Sequence, residues 1–211
     1  MDATQHRKLA GEAIARLSAA LLPHWQPTGM RFAHLPSALD AQWTAALPLP
    51  RADEAAGPVT LIDDDGADFQ READADTLAR EYAARPRTRV MESLHTQSDG
   101  WHALTTLHLS RMLRQRVSCS IFESLPQDRT AGRHYDEWDG LIVQVRGAKD
   151  WRIGPDPDQA NRVTTRPGDV LLLPRGVLHD VTTPQHSVHV LLAITDRPLE
   201  GHPTPPHQSA A

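Results

Sequence analysis

The chain has 211 residues, enough for one well-buried domain and too few for two of ordinary size. Its composition, 39% hydrophobic and 23% charged, is that of a globular protein, and a formal net charge of -5 leaves no basic footprint for general nucleic-acid binding. The single cysteine, Cys119, excludes an intrachain disulfide, and no stretch approaches the roughly 20 apolar residues of a membrane span, so a soluble, cytoplasmic protein is expected.

In chain order, Leu9, Ala13, Ile14, Leu17 and Leu21 fall at helical spacing between Asp2 and Leu22, and Pro23 stops the run. Five prolines between residues 23 and 50 predict helix and loop packed outside a β-core. A short helix is expected over Ser37 to Leu47 with Ser37 as its cap, and Trp25, Phe32 and Trp43 are expected to supply packing surface. Val59 to Ile62 suits a strand. The run Asp63-Asp-Asp-Gly66 after it is an acidic turn, because its glycine does not stand at the sixth position of a calcium loop. A helix over Phe69 to Arg85 ended by Pro86, a strand over Thr88 to Leu94, and a helix from Trp101 to about Gln115 capped by Asp99 follow.

From Val117 the character changes. Val117 to Phe122, Leu141 to Val145, Asp150 to Ile153, Arg162 to Thr165, Val170 to Leu173 and Ser187 to Ile194 suit short strands separated by Gly, Pro and Asp turns, which predicts a sandwich or barrel. After Thr195 a proline-rich stretch without apolar pattern reads as a loose tail. The expected organisation is one domain over 1–197, with a helical N-terminal part to 115 and a β-core over 117–195, followed by a flexible tail over 198–211.

The chemistry-bearing residues lie among these strands. In a strand, residues i and i+2 share a face, so His134 and Asp136 project together while Tyr135 points away. His179 lies far downstream, past an apolar strand that Pro174 and Gly176 bend, and a β-fold can bring it back to the pair. Two imidazoles and one carboxylate are the ligand set that leaves open positions on non-haem Fe(II). A cupin using the same residue types with zinc or manganese, or a non-catalytic ligand-binding cupin, are the competing readings.

The order G-D-x-L-x-L-P-x-G-x-x-H from Gly168 to His179, with His134-Tyr-Asp136 upstream and Q-x-x-G-x-K-x-W from Gln144 to Trp151 between, resembles the cupin-like JmjC oxygenases, particularly their ribosomal-oxygenase branch. The resemblance runs from about Leu94 to Ile194 and leaves residues 1–85 without a counterpart. It implies a mainly β fold with flanking helices, a double-stranded β-helix of jelly-roll type. It also implies Fe(II) held by His134, Asp136 and His179, 2-oxoglutarate as co-substrate and O2 as oxidant. Lys149, fifteen positions after His134, stands where the family binds the distal carboxylate of 2-oxoglutarate, and Ser120 where it often has a polar residue near the metal. A lysine buried in the barrel would want such an anion; the alternative is a solvated turn residue after Gly147. His189 either lines the pocket with them or is a core histidine.

Tyr135, Trp138, Arg133 and Arg175 flank the ligands and are expected near the pocket mouth or on the surface, Gln144 and Trp151 in structural roles, and Cys119 in the core. His95, His102, His108, His186, His202 and His207 match no structural zinc spacing and receive no role. The resemblance implies hydroxylation of a C–H bond coupled to decarboxylation of 2-oxoglutarate, on a peptide or protein side chain, with a free amino acid or other metabolite as the alternative. The ribosomal-oxygenase relatives carry a helical dimerisation region and a winged helix after the barrel, whereas 32 residues follow His179 here. That departure weakens the expectation of a ribosomal-protein substrate and of the family's dimer.

Overall fold

The Asp2 carboxylate accepts the amides of Thr4 and Gln5 while the Gln5 side chain takes the Asp2 N–H, a capping box that starts helix α1, Ala3–Leu21. A 3-10 turn at Leu22–His24 holds Pro23, which has no amide to continue the helix. The computed structural model describes residues 2–195 except 27, 56–57, 63–69, 73, 97–99 and 157. The expected acidic turn at 63–66, the Asp99 cap and the tail over 198–211 therefore lie outside the described residues.

Strands β1 (Trp25–Gln26) and β2 (Gly29–Met30) form a small hairpin, and β3 (Ala33–Leu35) follows. Helix α2 spans only Ala41–Ala45 and is capped by Asp40, whose carboxylate accepts the Trp43 N–H at 2.7 Å. Ser37 is not the cap: its φ of 51° is left-handed, unlike the extended backbone a cap needs, and its amide instead donates to buried Asp169 at 2.8 Å. Trp25 and Trp43 pack against the core, but Phe32 is 38% exposed and supplies no core surface.

Strand β4 (Val59–Ile62) pairs with β5 (Gln70–Glu72), so the segment expected to be helical from Phe69 begins as strand. Its helix, α3 (Ala75–Ala84), starts only behind the Asp74 cap. Strand β6 (Thr88–Met91) is shorter than expected because Leu94–Thr96 turns into a 3-10 helix, and α4 runs over Trp101–Leu113. The remaining strands are β7 (Arg116–Ser124), β8 (Asp139–Arg146), β9 (Lys149–Ile153), β10 (Asn161–Thr165), β11 (Val170–Leu173), β12 (His179–Thr182) and β13 (Ser187–Thr195).

These strands build an antiparallel eight-stranded sheet in the order β3-β11-β8-β13-β7-β6-β4-β5 and a three-stranded sheet in the order β10-β9-β12. Alternation along the strands places one set of side chains on each face of the large sheet. Val117, Cys119 and Ile121 of β7, with Val190, Leu192 and Ile194 of β13, join the cluster that α1 and α4 bury. Their alternates, Ser118, Ser120 and Phe122 with His189, Leu191 and Ala193, face the small sheet across a cavity. The large sheet is covered by helices on one side and bears the cavity on the other.

Candidate metal centre

His134 and His179 face each other across a single antiparallel bridge rather than along a regular strand pair. Each donates its backbone N–H to the other's carbonyl, at 2.9 and 2.8 Å. Residues so paired lie directly opposite, and their imidazole centroids stand 4.3 Å apart. Asp136 follows two residues on, held where its carbonyl accepts the amide of Gly176 at 2.9 Å. The turn with Pro174 and Gly176, in which Gly176 has a φ of 72°, thus carries the chain from β11 in one sheet to β12 in the other and delivers His179 to the pair.

Asp136 Oδ1 lies 3.8 Å from His134 Nε2 and Asp136 Oδ2 lies 3.7 Å from His179 Nε2. One ligand atom from each of the three residues falls within 4.8 Å of the others. Ligands bonded at roughly 2 Å to one first-row ion stand at most about 4 Å apart, so small inward movements close the three onto a shared ion. The tautomers suit this. Nδ1 of His134 is 2.9 Å from the Gly132 carbonyl and Nδ1 of His179 is 2.9 Å from the Val177 carbonyl. A carbonyl only accepts, so each Nδ1 carries the proton and each Nε2 presents a lone pair. Burial raises the Asp136 carboxyl above the ordinary carboxylate range and lowers the His179 imidazole. A cation here would remove that penalty by neutralising the carboxylate. Three ligands on one side leave the opposite side of an ion open to the cavity.

The cavity has a volume of about 360 Å³, and strand register orders its lining. At one end Lys149, 1% exposed, donates from Nζ to Ser124 Oγ at 2.8 Å, and Ser124 Oγ lies 3.0 Å from Thr88 Oγ1. Burial pushes the Lys149 ammonium down to about 8. This lysine is no solvated turn residue. Ser124 and Thr88 were not anticipated as its neighbours; the signal lay in the same-face series Ser118, Ser120, Phe122, Ser124, which runs two residues past the expected end of the strand at Phe122.

His189 lines the same cavity, stacked on Phe122 with centroids 4.8 Å apart, and burial together with the Lys149 charge holds it well below the ordinary imidazole value. Ser120 also lines it. Trp151 donates Nε1–H to Thr165 Oγ1 at 3.0 Å, and its ring sits about 6 Å from those of His179 and His189. Gln144, fully buried, braces β8 by donating to Ser187 Oγ and the Arg146 carbonyl. Cys119 is buried on the helix side, where burial raises its thiol to about 12.

Of the four flanking residues only Trp138 lines the cavity. Arg175 pairs with buried Asp139 at 3.2 Å, Arg133 donates to the Gly154 and Pro155 carbonyls, and Tyr135 is 58% exposed. His95 Nδ1 accepts the Cys119 amide at 3.3 Å, His102 is buried in the helix layer, His108 is exposed and His186 pairs with Glu123 at 3.1 Å. His202 and His207 lie outside the described residues.

Solved structures share the architecture. Over 84% of this chain, and 50% of theirs, Escherichia coli ribosomal oxygenase YcfD superposes with a TM-score of 0.53 at 21% identity, and its complex with cobalt and 2-oxoglutarate with a TM-score of 0.54 at 20%. That share is wider than the stretch from about Leu94 to Ile194 over which the sequence resemblance was expected. Among curated proteins, the bifunctional lysine-specific demethylase and histidyl-hydroxylase NO66 of Drosophila mojavensis is 28% identical over 100 residues, covering 37% of this chain and 11% of that protein. The Drosophila melanogaster protein of the same name is 28% identical over 108 residues, covering 41% and 16%. This chain thus spans a minor part of those relatives' length. The sequence model of the JmjC domain matches residues 89–199, more than half of the chain, and takes in β7 to β13, which carry most of the residues that line the cavity. The chain belongs to the JmjC-domain family.

Proposed function

We propose that this chain is an Fe(II)- and 2-oxoglutarate-dependent oxygenase that hydroxylates a C–H bond on a peptide or protein side chain. The observation that carries the reading is that one cavity has a His-Asp-His ligand set in one part of its wall and a buried lysine in another. His134, Asp136 and His179 hold the metal, which when bound supplies the activation of O2. The peptide preference draws support from the ribosomal oxygenase among the structural relatives and the histidyl-hydroxylase among the curated ones.

The protein's own residues bind and orient. The Lys149 ammonium takes the distal carboxylate of 2-oxoglutarate, the anion that a buried cation lacks, and Ser124 with Thr88 fixes the height of Nζ in the cavity. His189 is a neutral imidazole and offers a hydrogen bond to the co-substrate without adding charge; Ser120 offers a hydroxyl from the adjoining strand. Apolar Ile142, Leu191 and Ala193 exclude water from the space between. Residues 1–197 act as one unit in this reading, since β3 to β6 complete the sheet whose strands carry the site.

The test is anaerobic reconstitution with Fe(II) and titration with 2-oxoglutarate. A weak visible metal-to-ligand charge-transfer band is expected, and it should vanish in Lys149→Ala while Fe(II) still binds. Stoichiometric Fe(II) with no band in the wild type would refute the oxygenase reading and favour a cupin metalloenzyme of another class.

A further inference from the structure

Besides His189 Nδ1, two polar atoms in the cavity wall have no hydrogen-bond partner among the described residues: Trp138 Nε1 and Thr195 Oγ1, both shielded from solvent. Ile194 of β13 and Asp139 of β8 are the last pair of their ladder, Thr195 and Trp138 are the next residue on each segment, and both line the cavity. Two cavity-lining side chains that follow one paired position can approach one small group from two sides. Ser118 adds a second hydroxyl to this patch, since its β13 partner Ala193 is two residues from Thr195 on the same face. Trp138 is two residues beyond Asp136, which sets the patch beside the metal ligands and away from Lys149.

An indole N–H only donates, whereas a threonine hydroxyl both donates and accepts. We infer that Trp138 and Thr195 form an amide-recognition subsite, in which the indole N–H donates to an amide carbonyl oxygen and the Thr195 hydroxyl accepts the amide N–H. This rests on the oxygenase reading and narrows its substrate to a residue held in amide linkage. A free amino acid fits poorly: its ammonium and carboxylate bring full charges to neutral groups screened from water. Folding has already stripped both groups of water, so an amide that reaches them by a small turn of either side chain restores two missing bonds.

The test uses the full chain labelled with 15N at the tryptophan indoles, loaded with Zn(II) and 2-oxoglutarate to prevent turnover, and repeated without 2-oxoglutarate. The Trp138 indole resonance is the one missing in Trp138→Phe. N-acetyl amino acid methylamides spanning the natural side chains are titrated beside the same amino acids uncapped. At least one capped compound should move the Trp138 resonance downfield while its free amino acid does not. Thr195→Val should weaken that compound about tenfold, the equivalent of one hydrogen bond. Trp138→Phe should do the same by a change in the remaining amide resonances; if it does not fold, Thr195→Val alone carries the test. Equal response to free and capped compounds overturns the subsite, as does a resonance that no capped compound moves or unchanged affinity in Thr195→Val. Failure of the oxygenase reading appears separately, as absence of 2-oxoglutarate binding in the wild-type chain.

Discussion

Lys149 costs the fold stability in order to wait for an anion. Its pKa falls from 10.5 to about 8 because burial penalises the ammonium, and the distant Asp128 carboxylate only partly offsets this. A lysine whose folded pKa lies below its unfolded value binds its proton more weakly when folded, so stability is lower below the folded pKa and recovers as pH rises from about 8 towards 10.5. Without co-substrate, Lys149→Met should therefore stabilise the protein at pH 7 by something of the order of 3 kcal/mol. Ser124 keeps its bond to Thr88 in that variant. The gain should shrink in urea unfolding at pH 9.5, and a gain independent of pH would remove the ammonium as its cause. Asp136→Ala should weaken Fe(II) binding beyond the roughly 10–100-fold expected for losing an outer-sphere partner, measured anaerobically with a chromophoric chelator. Retained tight binding would take Asp136 out of the ligand set. At this scale the spacing of His134 and Asp136 anticipated that they stand together, whereas Lys149 was singled out by the family resemblance. The sequence was silent where only neighbours decide, as with Ser124 and with Arg175, whose partner Asp139 holds it away from the cavity.

Strands with β-branched cores were legible as elements: Val170–Leu173 agrees at both ends, and β7, β8, β9, β10 and β13 agree within a few residues. Strands β3 (Ala-His-Leu) and β12 (His-Asp-Val-Thr) lack any apolar run and exist because β11 and β9 offer them open edges to pair with. The turn from β8 to β9 shows how an element positions a site residue. Gly147 has a φ of 62°, and a Cβ there would meet the His186 carbonyl oxygen at 1.8 Å. Gly147→Ala should cost at least about 1–3 kcal/mol in chemical unfolding, since both the backbone angle and the close approach are violated. Because Lys149 is two residues on, 2-oxoglutarate affinity should fall while Fe(II) affinity stays, as His134, Asp136 and His179 hang on other connections. Equal loss of both would mean that the turn supports the whole barrel rather than the lysine.

For the molecule as a whole, the sheet that bears the site is covered by helices on one face and lines the cavity with the other. The strands that bear Ser120 and His189 inward bear Cys119, Val190 and Leu192 outward under α1 and α4. Leu192 is 2% exposed, and Leu192→Ala should cost about 2–5 kcal/mol through the cavity it leaves, with the melting temperature lowered by several degrees. Metal and co-substrate binding should persist below that temperature; their loss in the folded variant would show that the helix layer tunes the site and does not merely support it. By itself the sequence determined the period-two strands, the first helix with its stop at Pro23, and the order of the ligand motifs, because each is encoded by residues a few positions apart. Only the tertiary structure decided that His134 and His179 share one bridge, that Lys149 is buried beside Ser124, and that Trp138 and Thr195 line one cavity. Those juxtapositions join distant segments, and antiparallel register, not local preference, sets which side chains come to stand opposite one another.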